Sequence, residues 1–282
     1  MSRKINILFT NKKKGTLMTG LEFPNISPII FSIGGFALRW YSMAYLVGII
    51  AAWWAILRIT KKYELNLTKQ QIEDMIFFIT LGIIIGGRLG YVIFYGQGFF
   101  WHHPLKIFAI WNGGMSFHGG AVGAALGLLY TAHSRKVDFW LLTDLAALFA
   151  PIGIFLGRLA NFINDELWGR VTDVPWAVRF PSGGFLPRHP SQLYEAFTEG
   201  LGILIILNLL WLCKPIRERR GIISALFIIL YASFRILLEY FRQPDKQLGF
   251  LWEGFTMGQI LSLPILVFGL GLLGYSIAKP QK

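Results

Sequence analysis

Arg158, Asn161, Asn164, Asp165 and Glu166 stand close together in GRLANFINDELWGR, residues 157–170, at the end of a segment that begins as an apolar run. An Arg near a bilayer centre costs about 2.5–3.5 kcal/mol on insertion scales, so Arg158 must face partners, a water-filled cavity or an anionic ligand. Arg158 and Asn161 at i,i+3 share a helical face. A second group is Tyr231, Arg235, Glu239 and Arg242. At 100° per residue these fall at about 0°, 40°, 80° and 20°, one narrow stripe. Two readings fit it: an Arg235–Glu239 structural pair at i,i+4, in the weaker orientation, or a stripe that looks into a cavity.

His118 in MSFHGG, residues 115–120, is flanked by glycines that let backbone or substrate approach closely. Its ordinary pKa of about 6.5 lets it accept a proton near neutrality. The alternative is a buried histidine whose hydrogen bonds are all satisfied. Guanidiniums match phosphate oxygens with a fork of donors, so a phosphate-bearing lipid is a natural ligand for Arg158 and Arg235. Arg88, inside the small-residue run GIIIGGRLG at 82–90, either snorkels outward or joins the cavity, and the run itself signals close helix packing. His102 and His103 read as surface residues of an external loop. Cys213 is the only cysteine, which excludes an internal disulfide or CxxC site. There is no HExxH, GxSxG or P-loop, and no cofactor or metal is expected.

The elements that must position these groups are membrane helices. The chain has 282 residues, is 54% hydrophobic and 16% aromatic, and has a mean hydropathy of +0.53, beyond what a soluble domain tolerates. Apolar runs of near-spanning length lie at about 41–57, 75–95, 115–132, 141–163, 194–213, 221–240 and 257–277. The third contains Gly119 and Gly120, and the fourth is interrupted by Asp144, Pro151 and Arg158. The stretch 26–39 is too short to cross and is expected to lie at the interface. The fold class is therefore an all-α polytopic membrane protein. It has about seven transmembrane helices, an N-terminal interfacial segment and a small external loop region at 164–193. With no fixed repeat and no low-complexity linker, residues 1–282 read as one integral membrane domain.

One set of alternate loops carries Arg58, Lys61, Lys62, Lys69, Arg135, Lys136, Lys214, Arg217, Arg219, Arg220, Lys279 and Lys282. It outnumbers Lys106, Arg170, Arg179, Arg188, Arg242 and Lys246 in the other set, which puts the first set and the C-terminus in the cytoplasm. The tail, residues 1–25, opposes this with Arg3, Lys4, Lys12, Lys13 and Lys14 on the supposedly external N-terminus; a start at Met18 removes all five. The net charge of +12 needs only cytoplasmic loops near anionic headgroups, and no nucleic-acid motif accompanies it.

These residues resemble the prolipoprotein diacylglyceryl transferase family. GRLANFINDELWGR is similar to the family signature, and WYSMAYLVG at 40–48, GGRLGYVIFY at 86–95, GGMSFHGG at 113–120, RHPSQLYEA at 188–196, YASFRILLEYFRQPD at 231–245 and MGQILS at 257–262 resemble family blocks in the family's order. Ala160 and Asp165 stand where the family more often has glycine. The resemblance implies a bacterial inner-membrane enzyme with seven spans and an external N-terminus. It implies important roles for Tyr41, His118, Arg158, Asn161, Glu166, Gly169, Tyr231, Arg235 and Glu239. The implied reaction moves the diacylglyceryl group of phosphatidylglycerol onto the lipobox cysteine at the signal peptide of a prolipoprotein, forming a thioether and releasing glycerol phosphate.

Under that reading the catalytic set is His118, Arg158, Arg235, Tyr41 and Glu239. Phosphatidylglycerol is bound by Arg158, Asn161, Glu166, Gly169, Tyr231 and Arg235. A thiol of pKa about 8.5 is mostly protonated at pH 7 and needs a base, for which His118 is the candidate. Arg158 and Arg235 would meet the charge growing on the departing phosphate. Two rival classes are a carrier or channel for an anionic solute and a non-catalytic lipid-binding assembly factor.

Overall fold

The computed structural model describes residues 20–24, 26–34, 36–96, 98–244 and 254–278. The proposed start at Met18, the five tail charges, and Lys246, Lys279 and Lys282 lie outside the described residues. The chain is a mostly helical polytopic membrane protein. Its long helices are α1 (Trp40–Lys62), α2 (Lys69–Tyr95), α3 (Phe117–Arg135), α4 (Phe139–Ile163), α5 (Ser191–Leu212), α6 (Ile222–Leu238) and α7 (Met257–Ala278). Each coincides with one apolar run of the sequence. Five of them, α1, α2, α4, α5 and α7, are long and apolar enough to cross a bilayer.

The other two differ for distinct reasons. Helix α6 has 17 residues, about 25 Å at 1.5 Å per residue, short of a hydrocarbon core of about 30 Å. Helix α3 is 19 residues long but rich in Gly and Ala, which lowers its apolarity. The polar residues and proline that interrupt the fourth apolar run do not break the helix: α4 continues through Asp144, Pro151 and Arg158.

The all-α expectation needs correction at the N-terminal side. Within 26–39, β1 (Ile29–Ile33) pairs antiparallel with β2 (Phe36–Arg39), so this stretch carries strands rather than helix. The apolar run IIFSI with its branched side chains suits a strand, and Gly34 at φ +54° supplies the left-handed turn. A second, parallel pair joins Leu21–Glu22 to Val178–Arg179, and Arg179 closes it with an ion pair to Glu22 at 2.7 Å.

The chain divides into two compact units. One comprises Met1–Tyr45, Gly153–Ile203 and Ile229–Val267. Its core includes Ala160, Ala177, Phe180, Ala196, Ile203 and Ala232, with Phe23, Phe162 and Phe180 in mutual ring contact. The other comprises Leu46–Ile152, Leu204–Ile228 and Phe268–Lys282, with a core of Ile56, Met75, Leu142, Leu145, Leu148, Leu207, Trp211 and Ile223. There Asp144, fully buried, accepts from the backbone of Gly221 and Ser224 at 2.7 and 2.8 Å and from the Ser224 hydroxyl at 2.6 Å. A carboxylate on α4 thus satisfies donors that the start of α6 would otherwise leave unpaired.

The small-residue run on α2 packs as expected. A Cβ on Gly82 would strike the carbonyl of Gly123, one on Gly86 the carbonyl of Gly119, and one on Gly127 the carbonyl of Phe78. The backbones of α2 and α3 therefore touch directly. Gly123→Val is expected to destabilise the protein by about 1–3 kcal/mol through forced backbone separation, read as thermal unfolding in detergent. Gly120→Ala is the control, because its Cβ meets Ile83 only at ordinary contact, 3.6 Å, and should be near neutral.

Candidate active site

The signature segment ends α4 and turns into the loop leading to α5, and the structure gives its residues different tasks. Arg158 projects from α4 onto α5, where its Nη1 lies 2.8 Å from Glu195 Oε2 and its Nη2 lies 3.3 Å from Glu199 Oε2. The helices come close enough because a Cβ on Gly200 would stand 2.6 Å from the Phe155 Cα. The stretch Ala196–Gly202 is a π-helical turn within α5, a deviation that recurs at functional sites. From α6, Arg235 Nη1 reaches Glu195 Oε1 at 3.3 Å and its Nη2 reaches Glu239 Oε2 at 3.1 Å. Arg242 Nη1 also contacts Glu195 Oε1, at 3.2 Å.

Glu195 is therefore the hub: a carboxylate with no solvent exposure, shared by Arg158, Arg235 and Arg242. Glu199 is equally buried. Isolated carboxylates at such depth would be prohibitive, and the guanidiniums make them tenable. In turn the carboxylates fix the guanidinium forks. The Arg158 and Arg235 side chains keep 17% and 15% of their surface, so neither is sealed off completely by its glutamate partners. Tyr231 lies within electrostatic range of Arg158, Arg235, Glu195 and Glu199. Glu239 fits because position 258 is glycine; a Cβ there would stand 2.8 Å from its carboxyl carbon.

The rest of the signature builds the rim. Asn161 is buried and donates to Glu166 Oε1 at 2.7 Å, with Asn164 donating to the same oxygen at 3.3 Å. Gln192, fully buried, donates to the Glu166 carbonyl at 2.6 Å, and the Ser191 hydroxyl donates to the Leu167 carbonyl at 3.0 Å. Tyr41, with Tyr45 Oη 3.4 Å from its own Oη, interacts electrostatically with Glu166 and Arg158. Gly169 acts by closeness rather than chemistry. It bridges Arg242, and a Cβ would meet the Phe241 carbonyl at 2.5 Å and His189 at 2.7 Å.

Asp165 and Ala160, the two positions where the resemblance implies glycine, have distinct surroundings. Asp165 sits at φ +55°, a region that glycine adopts freely and Asp tolerates better than most residues. Its Oδ2 accepts from the Ser182 backbone at 2.6 Å and its carbonyl accepts from the Ser182 hydroxyl at 2.5 Å, so its charge is engaged by the 181–183 turn. Ala160 is buried, with 2% exposure. The loop is further tied by Arg188, whose Nε donates to the Gly183 carbonyl at 2.9 Å and which stacks over Trp168 at 4.1 Å. Burial lowers the pKa of the neighbouring His189 imidazole below its ordinary value.

The first unit thus contains Tyr41, Arg158, Asn161, Glu166, Gly169, Tyr231, Arg235 and Glu239. His118 belongs to the second unit, exposed rather than buried, as the second residue of α3, two past its N-cap Ser116. The i,i+4 pair between Arg235 and Glu239 exists, and it is part of the larger cluster. Residue-level reasoning did not single out Glu195 and Glu199. The signal was available, because both are carboxylates inside an apolar run and the rule that flags Arg158 applies equally to them.

A family model described as prolipoprotein diacylglyceryl transferase matches residues 28–275. A protein named phosphatidylglycerol--prolipoprotein diacylglyceryl transferase from Photobacterium profundum is 49% identical over 262 residues, covering 93% of this chain and 97% of its own. Proteins of the same name from Pseudoalteromonas translucida and Rickettsia canadensis are 50% and 47% identical, over 90% and 91% of this chain and 94% and 99% of theirs.

Proposed function

The chain belongs to the prolipoprotein diacylglyceryl transferase family, and on that premise we propose that it lipidates prolipoproteins, moving the diacylglyceryl group of phosphatidylglycerol onto the thiol of the lipobox cysteine. The observation that carries the assignment of the site is the cluster of Arg158, Arg235 and Arg242 around Glu195. The thiol loses its proton, the sulfur attacks the glycerol carbon bonded to the phosphate oxygen, and that C–O bond breaks. A thioether forms and glycerol phosphate departs with one more negative charge than the phosphodiester carried.

Arg158 and Arg235 receive that charge on the edges of their forks that face away from Glu195, Glu199 and Glu239. The carboxylates hold the forks in place, so little reorganisation accompanies the reaction. Asn161, Tyr231 and Tyr41 position the headgroup, with Glu166 held by Asn161 as part of the rim. Gly169 keeps the loop close enough for those contacts. His118 takes the thiol proton. All seven helices cross the inner membrane in this reading, with the N-terminus outside, the C-terminus in the cytoplasm and the 164–193 loop external.

The carrier alternative draws no support from the relatives' names. Purified protein in phosphatidylglycerol vesicles with a lipobox peptide should convert the peptide thiol to a thioether and release glycerol phosphate in equal amounts. Solute flux without lipid consumption would overturn the proposal. His118→Gln is expected to cut turnover by about 10²–10⁴-fold, the usual contribution of a general base, with the loss shrinking as pH rises toward the thiol pKa. Near-normal turnover of that variant would remove His118 as the base.

A further inference from the structure

The segment between α2 and α3 has its polarity arranged inside out. Trp101, Leu105, Phe108 and Trp111 are 87%, 83%, 73% and 80% exposed, whereas the backbone carbonyls of the same segment turn inward. They converge on Arg88, which is buried at 6% exposure and donates to the carbonyls of Lys106, Ile107, Gly113, Gly114 and Ala109 at 2.6, 2.7, 2.7, 3.1 and 3.4 Å. Phe100 lies beside that guanidinium at 5.3 Å. Short turns at Phe99–His102, Pro104–Phe108 and Ile110–Asn112 satisfy further backbone groups locally.

A loop in water does the reverse, offering backbone and polar side chains to solvent and hiding large apolar groups. Non-helical backbone is tolerated at membrane depth only where protein satisfies its polar groups, and here Arg88 does so. The exposed apolar surface is also continuous with a membrane span. It begins on α2 with Ile93, Phe94 and Tyr95 and resumes at Phe117 on α3. Trp and Tyr are the side chains that settle at headgroup level, and Lys106, exposed within this run, can extend its ammonium to lipid phosphates.

We infer that residues 99–111 are docked into the headgroup–acyl boundary of the leaflet at the ends of α2 and α3. Arg88 holds this platform rigid from inside, and its embedding sets the depth at which α3 and His118 begin. His102 and His103 then belong to a lipid-facing segment rather than to a loop in water. The inference concerns the membrane partner of this surface and stands independently of the transferase assignment.

The test uses Cys213→Ser protein carrying Leu105→Cys or Phe108→Cys, labelled with an environment-sensitive fluorophore and reconstituted in phosphatidylethanolamine–phosphatidylglycerol vesicles. Asn66→Cys, in the exposed loop after α1, is the aqueous control, with iodide present on both faces of the vesicles because this loop and the 99–111 segment lie on opposite sides. Labels at 105 and 108 should be quenched by spin-labelled lipids and be several-fold less accessible to iodide than the label at 66. Iodide quenching equal to the control overturns the inference. So does protection from both quenchers, because a protein, either a second copy or a peptide, would then cover the face. A second measurement avoids substitutions: a photoactivatable phospholipid on the unaltered protein should modify the peptide spanning 99–111, and labelling restricted to the long helices contradicts the docking.

Discussion

Arg158→Ala is expected to reduce diacylglyceryl transfer by at least about 10²–10³-fold, the loss seen when one preorganised donor to a developing anion is removed. It also leaves the Oε2 atoms of Glu195 and Glu199 facing no guanidinium from α4. Breaking a buried pair from one side costs about 3–5 kcal/mol, so the alanine variant confounds catalysis with folding. Arg158→Lys separates them. An ammonium keeps the charge opposite Glu195 and Glu199 and should retain much of the thermal stability, but it cannot hold both carboxylates and a phosphate with one planar fork. Turnover in vesicles should stay low while the unfolding midpoint recovers. A lysine variant with near-normal turnover would mean that Arg158 acts only as a structural counter-charge.

The second large effect is expected at Glu195. Glu195→Gln preserves size but removes the anion on which Arg158, Arg235 and Arg242 converge. The three cations then repel one another in a poorly solvated site, with an expected loss of about 3–5 kcal/mol and a fall in turnover as the forks splay. Glu199→Gln should be milder, because among the described residues Glu199 pairs with the guanidinium of Arg158 only. Thermal unfolding and vesicle turnover of the two variants check the ranking. Equal effects, or a larger one at Glu199, would contradict the role of Glu195 as hub.

Much of this architecture was legible because membrane helices announce themselves as apolar runs, and all seven runs coincide with helices. The hairpin at Ile29–Arg39 was not, since a 14-residue stretch is too short to read by hydropathy and its pairing depends on one left-handed glycine. Helical periodicity offered the Arg235–Glu239 contact as one of two readings, and the structure contains it. Glu195 and Glu199 were overlooked because the apolar residues around them dominate the run, although their cost in a bilayer points to them directly. Arg88 could not be placed by sequence, because its partners are backbone carbonyls, which carry no residue signature. Asp165 shows the opposite case: where the resemblance implies glycine, an aspartate holds a left-handed backbone and caps the 181–183 turn with its side chain.

In the proposed reaction Arg158 and Arg235 stabilise the charge that grows on the departing phosphate. The most direct measurement is the dependence of single-turnover transfer on the acidity of the leaving group, using phosphatidylglycerol analogues of graded leaving-group pKa with the unaltered protein and with Arg158→Lys. A shallow dependence is expected for the unaltered protein and a steeper one for the variant, because a leaving group deprived of the fork must carry more of its own charge. Parallel dependences, offset only in rate, would contradict it and place Arg158 in binding or folding instead.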